Sequence, residues 1–218
     1  MSRFRFVSQA RRRWLCRAAL LPLAVAALPL QAANPPVLLV VGDSISAGYG
    51  LSNGEGWVHL LEQRLASEGY RYQVVNASIS GDTTAGGRAR LPALLARHKP
   101  AVVVIELGGN DALRGGDLAE TRANLDAMTR AAQAAGAKVL LVGMQLPPNY
   151  GSGYVRSFSA LFRDVATSRH VPLVPFIFAG FAEDLASFQA DRIHPTATAQ
   201  PRILANVWPV LAPMLGRR

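Results

Sequence analysis

Val37-Leu38-Leu39-Val40-Val41-Gly42-Asp43-Ser44-Ile45-Ser46 opens as an unbroken aliphatic run and breaks into a polar turn. A strand with one face in water alternates apolar and polar side chains, whereas a strand covered on both faces is apolar throughout. Residues 37–41 are of the second kind, and Pro35-Pro36 gives them an extended entry. Runs of the same character recur at 72–75, 101–107, 138–144 and 171–175. Between them apolar residues fall at helical spacing: Trp57, Leu60, Leu61 and Leu65, then Leu118, Leu125, Met128, Ala132 and Ala135. Asp117 with Glu120 predicts a capping box at the start of that second helix, and Gly136 is placed to end it. Leu91, Leu94 and Leu95 predict another helix, whose start Pro92 obscures. Residues 154–169 and the tail 198–215 are also helical in pattern, the tail interrupted by Pro209 and Pro213. Strand and helix alternating at this spacing mean βαβ units, a parallel sheet and helices on both its faces.

In such sheets functional residues gather beyond the carboxyl ends of the strands. Gly42-Asp43-Ser44-Ile45-Ser46 follows the first run, Asn76-Ala77-Ser78-Ile79-Ser80-Gly81-Asp82 the second and Gly108-Gly109-Asn110-Asp111 the third. Near the C-terminus stands Asp191-Arg192-Ile193-His194-Pro195. A nucleophilic serine needs a base within hydrogen-bond reach and a third group to orient that base. Ser44, His194 and Asp191 are the candidates, with Asp191 able to turn back onto the other ring nitrogen of His194. A tetrahedral intermediate needs donors aimed at its oxyanion, each worth ~10²–10³ in rate. The backbone amides of Ser44 and Gly81 and the side-chain amide of Asn110 can supply them. Asp43, beside the nucleophile, is read as a loop residue that bonds backbone amides. His59, His98 and His170, far from these blocks, are expected in surface or capping roles.

The chain has 218 residues, half of them hydrophobic and 17% charged, which suits one packed domain and excludes a disordered or collagen-like chain. Its formal net charge of +9 would fit nucleic acid, but residues 1–33 hold six arginines and no acid, leaving +3 on the rest. A nucleic-acid partner is therefore not expected. Residues 1–33 have the pattern of an export signal: arginines up to Arg17, an uncharged apolar run over 18–30, then Gln31-Ala32-Ala33. Thirteen residues containing Pro22 and Pro29 fall short of the ~20 that span a bilayer, so no stable membrane span is expected. Ala32 and Ala33 each fit a cleavage site, and Arg11-Arg12-Arg13-Trp14-Leu15 also matches a twin-arginine signal. The expectation is a periplasmic or secreted monomer made of a single domain over 34–218. Cys16, the sole cysteine, would leave with the signal, and with it any disulfide, thiol nucleophile or thiolate ligand.

The blocks Gly42–Ser46, Val75–Gly81, Glu106–Asp111, Leu146–Gly151 and Asp191–Pro195, in this order, resemble the SGNH (GDSL-type) hydrolases. The likeness runs from about Leu38 to Leu211 and is strongest to the periplasmic thioesterase, lysophospholipase and arylesterase branch. It implies a flavodoxin-like three-layer α/β/α sandwich with a central parallel sheet of about five strands. It also implies a serine hydrolase of carboxylic esters and thioesters, acting through an acyl-enzyme on Ser44 with Asp191 and His194. Ser44, Gly81 and Asn110 would form the oxyanion hole. Leu113 and Leu146 would help line an acyl groove, and the loop 112–117 would move over it. The substrates would be small acyl, aryl or lysophospholipid esters. Two departures stand out: Ile45 replaces the usual leucine, and Arg192 the common glycine between triad acid and base.

Other chemistries lack their signatures. Gly48-Tyr49-Gly50 lacks the third glycine of a dinucleotide fingerprint, and no Walker A or H-E-x-x-H pattern occurs. Neither cofactor nor metal is expected. A carbohydrate or peptidoglycan O-acetylesterase is the alternative within the hydrolases. A non-catalytic lipid- or glycan-binding module on the same sheet is the alternative outside them. The compact chain with 7% aromatics favours acyl chains over sugars.

Overall fold

The computed structural model describes Met1 and residues 34–216, and the readings made on residues 2–33 lie outside them. Among the described residues one sheet is formed by β1 (Val37–Gly42), β2 (Gln73–Asn76), β3 (Val102–Glu106), β4 (Lys138–Val142) and β5 (Leu173–Val174). All pairings are parallel and the spatial order is β2-β1-β3-β4-β5. That order is the doubly wound, flavodoxin-like arrangement.

Alternate side chains of the strands enter opposite cores. Leu38, Val40, Val102, Val104 and Leu140 pack with α2 (Trp57–Ser67) and α7 (Gln200–Leu211). Leu39, Val41, Val103, Ile105 and Leu141 pack with α3 (Thr84–His98), α5 (Leu118–Ala134) and α6 (Ser152–Arg169). Both faces being covered explains why β1, β3 and β4 are apolar without alternation. Two one-turn helices, α1 (Ser44–Ala47) and α4 (Gly109–Leu113), follow β1 and β3 directly and carry Ser44 and Asn110.

The helix ends show which local signals acted. Asp117 caps α5, accepting from the Ala119 amide at 2.8 Å rather than from Glu120, and Gly136 ends the helix region at φ +83°. Helix α3 starts at Thr84, well before the leucines that announced it. Thr83 caps it by accepting from Gly86, and Pro92 is accommodated inside it. Helix α7 likewise runs through Pro209 and gives way to a 3₁₀ turn at Ala212–Met214 that holds Pro213. His98 lies in the last turn of α3, His170 is the left-handed cap of α6, and exposed His59 pairs with Glu62. Among the described residues no helix is long and apolar enough to cross a membrane.

Candidate active site

Asp43 leaves β1 as the N-cap of α1, its Oδ1 accepting from the Ile45 amide at 3.0 Å. This turns the chain sharply and presents Ser44 at the carboxyl edge of the sheet. Beneath it, Glu106 at the end of β3 is wholly buried and its Oε2 accepts from Ser46 Oγ at 2.7 Å. A side chain on Gly42, paired with Glu106 across the sheet, would stand 2.9 Å from that same oxygen, so only glycine leaves room for it. Burial raises the Glu106 carboxyl well above its ordinary 4.5, the Asp43 charge adds to this, and hydrogen bonds from Ser46 and the Asp43 amide oppose it. Burial also pushes the Asp43 carboxyl up to about 6, against the lowering effect of the Ile45 amide, the His194 charge and the Asn110 amide.

His194 and Asp191 arrive together on a tight hairpin. Phe188 bridges Pro195 antiparallel, the Gln189 amide donates to the His194 carbonyl at 2.7 Å, and the Thr196 amide donates to the Ser187 carbonyl at 2.9 Å. Gln189 Nε2 donates to the Tyr49 carbonyl at 2.8 Å and so fastens the hairpin to the loop after α1. At its tip Asp191 Oδ1 accepts from the Ile193 and His194 amides at 2.9 and 3.0 Å. Asp191 Oδ2 lies 2.7 Å from His194 Nδ1, and His194 Nε2 lies 2.8 Å from Ser44 Oγ. Partial burial pushes the Asp191 carboxyl up, but the His194 amide, the His194 ring and the Ile193 amide outweigh it and bring it down to about 2. Asp191 is thus a carboxylate at neutral pH. Tyr49, which the sequence reading did not single out, lays its ring 4.4 Å from the His194 ring.

Of the expected oxyanion donors, the Ser44 and Gly81 amides have no acceptor among the described residues. Asn110 differs: its Nδ2 donates at 3.0 Å both to Asp43 Oδ2 and to the Asp82 carbonyl. Both amide hydrogens are therefore engaged, and to act as third donor Asn110 has to share one of them with an incoming oxyanion.

A groove of about 420 Å³ opens beside Ser44 and His194. Leu113 and Leu146 line it, as do Ile45, Met144, Phe176 and Phe178. Gly81 and Asp191 are not part of its wall, Asp191 standing behind the imidazole. The loop after α4 is tied down by Tyr154, whose hydroxyl donates to the Gly116 carbonyl at 2.8 Å. The aromatic lining comes from segments after β5 that carry no motif, which is why sequence reading passed over it.

A sequence profile of the GDSL-like lipase/acylhydrolase family matches residues 40–200. The chain is 59% identical to Esterase TesA of Pseudomonas aeruginosa over 193 residues, covering 88% of this chain and 96% of that protein. It is 42% identical over 189 residues to Thioesterase 1/protease 1/lysophospholipase L1 of Escherichia coli, covering 87% of this chain and 89% of the relative. The crystal structure of TesA superposes with a TM-score of 0.81 at 60% identity, covering 82% of this chain and 99% of that one. With the Ser44–His194–Asp191 hydrogen-bond chain and nearly full-length relatives in agreement, the chain belongs to the GDSL-like lipase/acylhydrolase family and is a carboxylic ester hydrolase.

Proposed function

We propose that the protein cleaves carboxylic esters and thioesters of acyl chains through an acyl-enzyme on Ser44. The observation that carries this is the unbroken relay Ser44 Oγ–His194 Nε2 at 2.8 Å and His194 Nδ1–Asp191 Oδ2 at 2.7 Å. His194 takes the Ser44 proton as Oγ attacks the acyl carbonyl, then gives it to the departing alkoxide or thiolate. Water, deprotonated by the same imidazole, releases the acid and restores Ser44. Asp191, ionised throughout, holds the ring and stabilises its imidazolium form. The Ser44 and Gly81 amides receive the oxyanion, and Asn110 joins them by sharing a hydrogen. Apolar Leu113, Leu146, Phe176 and Phe178 suit an acyl chain better than an O-acetylated sugar. Lysophospholipids, with one chain and a large polar leaving group, are a matching substrate class.

The pattern of residues 1–33 supports export to the periplasm or beyond, with residues 34–218 as the working domain. Cell fractionation is expected to find the enzyme outside the cytoplasm and lacking the first 33 residues or nearly so.

The test is hydrolysis of p-nitrophenyl esters from acetyl to palmitoyl by the protein without residues 1–33, beside Ser44→Ala. Turnover that vanishes in Ser44→Ala and rises with chain length beyond acetyl is expected. Wild-type turnover in Ser44→Ala would overturn the mechanism, and activity confined to acetyl esters would favour the O-acetylesterase reading.

A further inference from the structure

Outside the triad, the polar contacts of the site converge on one side chain, Arg90 in the second turn of α3. Its Nε donates to Asp82 Oδ2 at 2.8 Å, one terminal nitrogen donates to the Ala77 carbonyl, and the other reaches the Gly42 carbonyl at 3.4 Å. Gly42 immediately precedes Asp43-Ser44, Ala77 begins the loop after β2, and Asp82 immediately follows Gly81. Arg90 and Asp82 are 20% and 11% exposed in their side chains, so the pair is largely withdrawn from water and from salt screening.

Asp82 passes this restraint on. Its carbonyl accepts from Asn110 Nδ2 at 3.0 Å, and its Oδ1 accepts from the Thr83 amide at 2.9 Å. Its own amide donates to the Ile79 carbonyl at 3.0 Å, closing a four-residue turn with Gly81 in third place at φ +79°. A positive φ there is what a type II turn demands, and a flip of the central peptide to type I would reverse the direction of the Gly81 N–H. Gly81 itself is held by little else: its carbonyl accepts from Arg114 at 3.1 Å. Close approach of Asp82 to α3 depends on Gly86, where a Cβ would overlap Asp82 Oδ1.

We infer that Arg90 is a positioning residue for oxyanion stabilisation, acting through Asp82 to aim the Gly81 amide and the Asn110 side chain. This rests on the roles proposed above for Ser44, Gly81 and Asn110. The planar guanidinium reaches three acceptors on three chain segments at once, which a lysine ammonium on a flexible stem cannot reproduce. Arg90 touches neither Ser44 nor His194, so its loss disturbs the oxyanion side of the reaction and leaves the proton relay in place.

The experiment compares Arg90→Lys, Arg90→Ala and Asp82→Asn with wild type and Ser44→Ala, using p-nitrophenyl butyrate and an alkyl trifluoromethyl ketone. The ketone adds to the nucleophile and presents an oxyanion, so its affinity follows oxyanion stabilisation. Expected are a ten- to hundredfold fall in kcat with KM within twofold, and a fall of similar size in ketone affinity. The pH profile should keep its shape, and methylguanidinium should restore part of the activity of Arg90→Ala. Circular dichroism and denaturation midpoints, read in the same buffer, establish that each variant is folded. Should Arg90→Ala fail to fold, Arg90→Lys and Asp82→Asn carry the same expectation. Wild-type kcat in the folded variants, or a loss that appears in KM with ketone affinity intact, overturns the inference. Turnover surviving in Ser44→Ala would instead sink the mechanism on which it rests.

Discussion

Asp43 is buried, faces Glu106 and His194, and still has to orient Asn110. Its carboxyl is raised from 3.8 to about 6, so the folded state binds that proton more tightly than the unfolded chain does. The stabilisation from protonation is complete below pH ~4 and is lost as pH rises through about 6, a change of about 3 kcal/mol for two pH units. Asp43→Asn removes this titration. Urea unfolding at pH 4 and pH 7 should show wild type losing about that much stability relative to Asp43→Asn between the two. The same variant places a second amide against Asn110 Nδ2 and should lower kcat at every pH. Within the triad, Ser44→Ala and His194→Ala should each cost ~10⁶ in kcat and Asp191→Asn ~10⁴, since serine, imidazole and oxyanion donors survive in the last. Single-turnover rates on a p-nitrophenyl ester check this order. Ser44, Asp191 and His194 were legible because each stands in a short polar block after a strand or at a hairpin tip. Arg90 and Glu106 were not: one reaches its partners from a helix face, and the other matters through burial that only the assembled sheet creates.

The elements differ in how much they owe to their own sequence. Strands β1, β3 and β4 declare themselves because nearly every residue in them is buried. β5 is only two residues long, although the Leu141 amide donates to the Pro172 carbonyl just before it and the Ile177 amide donates to the Gly143 carbonyl just after it. Helix α3 was half hidden, because its first turns, Thr84-Ala85-Gly86-Gly87-Arg88, hold poor helix formers. It is fixed instead by the Thr83 cap and by tertiary bonds: Asp111 accepts from the Thr84 amide at 2.9 Å, and Asn124 Nδ2 donates to Thr84 Oγ1 at 3.2 Å. Gly143, just beyond β4, shows how tightly elements meet. A Cβ there would lie 2.5 Å from the Pro175 carbonyl oxygen, and that oxygen belongs to backbone. Gly143→Ala should therefore destabilise by about 2–3 kcal/mol, read by thermal or urea unfolding. It should also raise KM for long-chain esters, since Met144 and Phe176 beside it line the groove.

At the scale of the molecule, one sheet divides two cores and gathers the loops of all its strands at one edge. Helices α2 and α7 cover one face and α3, α5 and α6 the other. The three-layer arrangement could be read from the alternation of strand and helix together with the family resemblance; which helix covers which face required the structure. Phe158 and Phe162, wholly buried with rings 5.3 Å apart, join α6 to the chain beneath the Asn110 loop. The edge of Phe162 would lie 3.2 Å from a Cβ on Gly108. Phe158→Ala should cost about 3–5 kcal/mol of folding stability, measured by urea unfolding.

Asp191 and His194, the proposed acid and base, are carried by the same short hairpin, bridged at Phe188 and Pro195, while Ser44, the proposed nucleophile, comes from the far end of the chain. They form a cassette: when that hairpin opens, both leave Ser44 in one event, although the sheet and its two cores stay intact. Catalysis then gauges local opening rather than global unfolding. On heating, activity should fall reversibly at a lower temperature than the helical signal. Amide exchange at Gln189 and Thr196, whose N–H groups close the hairpin, should track the lost activity more closely than exchange in β1 or β3 does.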